Sequence, residues 1–184
     1  MAWKQNIIED FKQLVSFDSI SFHERKTADW LLARLKSMGF SVEEDQAGAY
    51  YGGDTGNIFA VLDGELEGEL EGDPVIFCAH MDVVDPGSGK KSVLEKDGTI
   101  HSAGDTVLGA DDISGILEIL YGVQLVLDSG KPHKKIEILF TIGEELYVKG
   151  SDVFDYSKVT AKQAYVLAVS YTHLRAHETT LHLV

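Results

Sequence analysis

Apolar residues first recur at helical spacing near the start of the chain. Ile7, Ile8, Phe11, Leu14 and Val15 are interleaved with Lys4, Glu9, Asp10 and Lys12, the period of an amphipathic helix. A second helix is predicted from Ser21, because Ser21-Phe22-His23-Glu24 has the spacing of a capping box. Its inner stripe is Ala28, Leu31, Leu32, Leu35 and Met38, and Gly39 supplies the C-terminal stop. Three short apolar runs, 57–62, 74–79 and 136–142, then read as strands. The last two are almost unbroken, as in strands covered on both faces. Residues 110–128 form a strong helical pattern, with Ile113, Ile116, Leu117, Leu120, Val123 and Leu127 on one side. A further helix is expected from about Glu145 to Tyr156, and a further strand over 163–167. Buried strands alternating with amphipathic helices predict an α/β sheet with helices on both faces. Between two of the strands, the near-duplicated acidic tract GELEGELEGD (64–73) reads as a solvated hairpin loop. It lacks the alternating Asp/Asn ligands and fixed glycine of a calcium loop.

Composition narrows the function. The 184 residues suit one domain, and the apolar share of 44% and charged share of 25% are globular values. Against 30 Asp plus Glu stand only 16 Lys plus Arg, a formal charge of −14. Such a surface repels phosphate backbones and anionic lipid, so nucleic-acid and membrane-surface roles are excluded. The single cysteine, Cys78, allows no internal disulfide and accords with a reducing compartment. The N-terminus carries charges where a signal peptide needs an apolar stretch, and the longest apolar run, 116–127, is too short to span a bilayer. A soluble, cytoplasmic protein is expected.

Three polar constellations lie at strand ends or at a helix start, where open α/β sheets bind ligands. In His80-Met81-Asp82, residues two apart project to the same side of an extended segment, so the imidazole and the carboxylate can touch. A metal-bound imidazole commonly donates its other proton to such a carboxylate; the alternative is a satisfied strand-end histidine beside a turn aspartate. In Gly109-Ala110-Asp111-Asp112, one acid is free to bridge two metal ions, or both serve only the helix terminus. In Gly143-Glu144-Glu145, adjacent side chains diverge, so that one can hold a metal and the other act as general base, or both merely begin an acidic helix.

Other signals fail. Gly87-Ser88-Gly89-Lys90-Lys91 imitates the end of a phosphate loop but has Val84 and Lys91 where the motif needs Gly and Ser/Thr. His177-Glu178 to His182 imitates a helical zinc motif, but a spacing of five turns the second ring away by about 140°. Cys78 lacks an activating partner, and His23, His101 and His133 are expected on the surface or in loops.

The stretches FCAHMDVVDPG (77–87), DTVLGADDISG (105–115) and FTIGEELYVKGSDVFDYS (140–157) resemble, in order and spacing, the co-catalytic di-zinc metallopeptidases that include peptidase T, carboxypeptidase G and the aminoacylases. The long second and third motifs look most like the peptidase T-like, tripeptide aminopeptidase branch. The resemblance covers about residues 1–167 and implies a three-layer αβα sandwich of the zinc-dependent exopeptidase type, incomplete at the C-terminus. It also implies metal-dependent hydrolysis of short peptides with two divalent ions, zinc or alternatively cobalt or manganese. Dipeptidase, carboxypeptidase and N-acyl-amino-acid deacylase activities belong to the same family; a non-catalytic acidic binding domain is the alternative of another class. Carried over by position, His80 and Glu145 each bind one metal, Asp111 bridges them, Glu144 is the general base and Asp82 orients His80. The resemblance further implies a homodimer for the intact protein.

Two departures stand out. Ile113 replaces a lysine common in relatives, and Ala168 stands where relatives carry a metal-binding aspartate. A later histidine ligand and the lid or dimerisation domain have no counterpart. Residues 168–184, with His173, His177 and His182, resemble translated sequencing-adapter read-through and are expected to be an unrelated tail. Weak metal binding, an inactive fragment and an exposed, aggregation-prone sheet edge are the resulting expectations.

Overall fold

The structure is a computed structural model and describes residues 2–66 and 72–168. Helix α1 spans Ala2–Val15 and α2 spans Arg25–Ser37, followed by strand β1 (Ser41–Glu44), the short α3 (Ala47–Tyr51) and β2 (Ile58–Leu62). Then come β3 (Val75–His80), a small ribbon of β4 (Ser92–Leu94) and β5 (Ile100–Ser102), α4 (Ala110–Asp128), β6 (Ile136–Thr141), α5 (Lys149–Val153) and β7 (Gln163–Val166). None of the described helices is long and apolar enough to cross a membrane.

The main sheet has the order β1-β2-β6-β3-β7. It is mixed: β6 runs antiparallel to β2 and parallel to β3, and β3 runs parallel to β7. Leu62 and Val75 both register with Ile136, one on each side of β6. The acidic connection after β2 is therefore a crossover past β6, which corrects the hairpin expectation; its residues 67–71 lie outside the described part. An inserted central strand wins because β6 is buried along almost its whole length and needs partners on both edges.

Side chains alternate across the sheet. Ile138 and Phe140 of β6 join Leu14, Leu31, Leu35, Ile116 and Leu120 in the core under α1, α2 and α4. On the opposite face Leu139 packs with Phe59, Ile76, Phe154 and Ala161, so that layer is built from α5 and the segment after it. At the edge, Tyr165 and Val166 of β7 are exposed.

Two local expectations change. Helix α2 begins at Arg25, not Ser21. The capping box does not close, because the Ser21 hydroxyl donates to Asp82 at 2.6 Å and the Glu24 carboxylate accepts the N–H groups of Phe22 and Gly143. The single helix expected over 145–156 is instead a 3₁₀ turn at Glu144–Leu146, α5, and a second 3₁₀ turn at Tyr156–Lys158. Tyr147 and Val148 sit at φ of 69° and 51°, left-handed values that a continuous helix forbids.

Candidate metal centre

Parallel pairing brings the C-terminal ends of β3 and β6 side by side, with His80 in register with Thr141. Each strand then releases its polar motif at the same end of the sheet. The start of α4 is drawn to this point by Asp112, buried to 1% exposure, whose carboxylate accepts the backbone N–H of His80 at 3.0 Å and that of Gly115 at 3.2 Å. Burial pushes the Asp112 carboxyl up to about 7, against the opposing pull of the His80 charge. Asp112 thus ties α4 to β3 and leaves Asp111 facing the imidazole, across a cis Asp111–Asp112 peptide bond.

The buried His80 ring is held at both nitrogens. Nδ1 lies 3.0 Å from the carbonyl oxygen and 3.3 Å from the carboxylate of Asp82, and Nε2 lies 3.1 Å from Asp111 Oδ1. Burial alone lowers an imidazole's pKa, but the Asp111 and Asp82 hydrogen bonds and the charges of Asp112 and Asp82 outweigh it and raise His80 to about 11. Without a metal ion the ring is therefore an imidazolium amid carboxylates. Asp82 is itself wholly buried. Its two oxygens accept from Ser21 and from the backbone N–H groups of Glu144 (2.9 Å) and Glu145 (3.1 Å). Burial opposes its ionisation, yet the bonds from His80 and Ser21 hold its pKa below the ordinary carboxylate value.

The five residues carried over from the family motifs meet here. His80, Asp111 and Glu145 each offer one ligand atom, all within 4.8 Å of one another. Glu144 stands slightly apart, its carboxylate 3.8 Å from His80 Nε2 and about a third exposed. Burial, reinforced by the charges of Asp111, Asp82 and Glu144, raises the pKa of Glu145 against the opposing pull of the His80 charge. An apolar cleft of about 270 Å³ opens beside His80 and Glu144 and runs over Ile76, Leu139 and Val166. One imidazole and two carboxylates make a donor set that suits zinc, manganese or cobalt, and Asp82 supplies the outer-shell acceptor such a histidine needs.

The remaining candidates stay apart. Lys90 is buried and donates to the carbonyls of Phe17 and Gly87, so it anchors a loop rather than a phosphate. His23 and His101 are exposed and pair with Asp54 and Glu95; His133 is half-buried. His173, His177 and His182 lie outside the described residues. Sequence reasoning missed Asp112, Ser21 and Glu24. The first was legible only as the second of a pair, and the other two imitate a capping motif.

Comparison with known proteins bears on the family and the fold. Residues 57–173 match the sequence profile described as Peptidase family M28. The chain is 32% identical over 167 residues to the uncharacterized protein YqjE of Bacillus subtilis (strain 168), covering 91% of this chain and 44% of the relative. The crystal structure of aminopeptidase PepT from Bacillus cereus ATCC 10987 superposes with a TM-score of 0.84 at 33% identity, over 91% of this chain and 44% of that one. A tripeptidase from Staphylococcus aureus subsp. aureus Mu50 gives a TM-score of 0.84 at 28% identity with the same coverage. The chain thus spans less than half the length of these relatives.

Proposed function

We propose, because the chain belongs to peptidase family M28, that His80, Asp111 and Glu145 form the metal centre of a hydrolase acting on peptide bonds of short peptides. The observation that carries this reading is the convergence of the three ligand atoms within 4.8 Å, from residues 31 and 34 positions apart in sequence. A non-catalytic acidic domain has no reason to gather them around an imidazole. The relatives named aminopeptidase PepT and tripeptidase support short peptides as the substrate class.

In the proposed mechanism His80 and Glu145 would each hold one divalent ion, and Asp111 would serve both. Such ions supply Lewis-acid chemistry, polarising a carbonyl and acidifying water. The chain's own residues do the rest. Asp82 accepts the Nδ1 proton and so keeps the Nε2 lone pair directed at the metal position. Glu144, more open to the cleft than Glu145 or His80, is the general base that takes a proton from the attacking water and returns it to the leaving amine.

Ala168 stands where the family resemblance places a further acid. We therefore propose that the first 167 residues are the N-terminal part of the catalytic domain and that residues 168–184 form an unrelated tail. On this reading the 184-residue chain binds metal weakly and does not turn over, and catalysis needs the remainder that the relatives possess. The test is zinc titration of the chain and of its His80→Ala variant, followed by tripeptide and N-acetyl amino acid hydrolysis with added zinc, cobalt or manganese. Equal zinc binding by both chains refutes the metal centre, and tripeptide hydrolysis by the 184-residue chain refutes its inactivity. Turnover of the N-acetyl amino acid alone refutes the substrate class.

A further inference from the structure

Four consecutive backbone N–H groups lead from the end of β6 into the acidic pair, and a side-chain oxygen takes each of them. Ile142 donates to Asn57 Oδ1 at 3.1 Å, Gly143 to Glu24 Oε1 at 3.0 Å, Glu144 to Asp82 Oδ1 at 2.9 Å and Glu145 to Asp82 Oδ2 at 3.1 Å. The three acceptors are all 0% exposed and come from three separate segments: the start of β2, the turn before α2, and the turn after β3.

The carbonyls of the same stretch are closed from the other side. Ile142, Gly143 and Glu144 accept the N–H groups of Gly150, Lys149 and Val148 at 3.0, 3.1 and 2.8 Å. Asn57 also fastens the far end of the loop, donating from Nδ2 to the Gly150 carbonyl at 2.9 Å and to Asp45 at 2.8 Å. Packing leaves no slack. A Cβ on Gly143 would fall 2.6 Å from the Phe22 ring, and one on Gly150 would fall 2.4 Å from Asn57 Oδ1. Gly143 moreover sits at φ 56°, a conformation that glycine adopts without penalty.

A loop whose backbone bonds went to water would let its carboxylates wander. Here any shift of Glu144 or Glu145 must break bonds to buried acceptors, which then lose partners they cannot replace. We infer that Glu24 and Asn57 are positioning residues: together with Asp82 they cradle residues 142–145 and fix where the Glu144 and Glu145 carboxylates stand. The inference rests on reading Glu145 as a ligand and Glu144 as the base, and it adds two residues that touch neither metal nor substrate.

Cobalt(II) titration of the 184-residue chain, followed by visible absorption, tests it on both affinity and ligand geometry. Glu24→Ala and Asn57→Ala are expected to weaken cobalt binding by about tenfold or more, as loss of outer-shell support does, and to change the absorption spectrum. Glu24→Gln keeps an oxygen for both N–H groups and is expected to stay within about threefold of wild type. Amide hydrogen exchange on the wild type needs no variant: the amides of 142–145 should exchange as slowly as those of β6. If wild type binds no more cobalt than His80→Ala, the metal centre itself is wrong. If wild type binds but Glu24→Ala and Asn57→Ala match it in affinity and spectrum, or the four amides exchange at open-loop rates, the cradle is wrong and the metal centre stands. A variant that fails to fold leaves the exchange rates and the Glu24→Gln affinity to decide.

Discussion

Replacing Asp82 by Asn tests the site's scaffold without reference to any metal. The carboxylate has room for about four hydrogen bonds, and four donors face it: the Ser21 hydroxyl at 2.6 Å, the Glu144 and Glu145 N–H groups at 2.9 and 3.1 Å, and His80 Nδ1 at 3.3 Å. An amide is nearly isosteric but turns one oxygen into a donor. Set at the Oδ1 position, its NH₂ opposes both Glu144 and His80. Set at Oδ2, it opposes the Glu145 N–H, while the Ser21 hydroxyl rotates to accept. The second arrangement costs less, yet it leaves one backbone donor buried and unpaired, about 1–3 kcal/mol. Loss of the charge on the bonds that survive adds about 1 kcal/mol more. Asp82→Asn is therefore expected to destabilise the metal-free chain by about 2–4 kcal/mol.

Urea unfolding in the presence of a chelator, followed by circular dichroism, measures this directly. With a slope of about 2 kcal/mol per molar urea, the midpoint should fall by about 1–2 M at unchanged slope. Ser21→Ala is the internal control. It deletes a single donor and leaves the carboxylate three partners, so it should cost about 1 kcal/mol. A loss for Asp82→Asn below about 0.5 kcal/mol, or one no larger than that of Ser21→Ala, would show that the network does not hold the loop as described.

The metal-free chain should lose stability as pH rises from 5 to 7.5. Burial, with the Asp82 charge adding to it, raises Glu24 from 4.5 to about 7, and burial raises Asp112 from 3.8 to about 7. In that window the folded chain keeps protons that the unfolded chain releases, so folding weakens by about 2–3 kcal/mol for each of the two groups between the two pH values. Chelator-treated unfolding at both pH values checks the sign, and Glu24→Gln should remove its own share; equal or greater stability at pH 7.5 contradicts the assignment. Zinc at a hundred times its dissociation constant should stabilise wild type by about 2.7 kcal/mol in a thermal-shift assay and His80→Ala not at all. Tyr147 is 87% exposed at φ 69°, so Tyr147→Gly should leave the melting temperature unchanged or higher. Tyr147→Val, β-branched in the same left-handed position, should lower it.

What the sequence made legible follows from where each signal resides. Helix α4 was legible because its apolar stripe, Ile113 to Leu127, persists for about four turns; its C-terminal bound at Asp128 agrees, whereas Asp111 and Asp112 have non-helical backbone angles, so the regular turns begin after them. Strands β3 and β6 announce themselves by nearly continuous apolar runs, interrupted in β6 by Glu137. Strands β1, β4 and β5, of three or four residues with mixed burial, are too short for a period to show. The break at 147–148 escaped because Tyr and Val rarely adopt positive φ and nothing local marks them as doing so. His80, Asp111 and Glu145 stand within recognisable motifs, whereas Asn57 and Glu24 act through bonds spanning 85 and 119 residues. Such bonds belong to the tertiary structure, and Glu24 offered the false explanation of a capping box.

The electrostatics of the site explain why these buried acceptors matter. Asp82, Asp111, Asp112, Glu144 and Glu145 surround one imidazole in a chain whose formal charge is already −14. Mutual repulsion would drive the carboxylates apart if their backbones were loose. The fold resists this in two ways that need no cation: His80 is held in its charged form, and Asp82 and Asp112 spend their lone pairs on backbone N–H groups that fix neighbouring chain segments. The acids left facing the ring with capacity for another partner are Asp111, Glu144 and Glu145, and the first and last of these complete the three-donor cluster with His80. A divalent ion held by His80, Asp111 and Glu145, as proposed, would compete with the imidazolium proton and offset the repulsion that the scaffold otherwise bears. Stability and the proposed metal binding would therefore be linked through His80: whatever lowers its proton affinity without removing the ring should ease metal entry while weakening the metal-free fold.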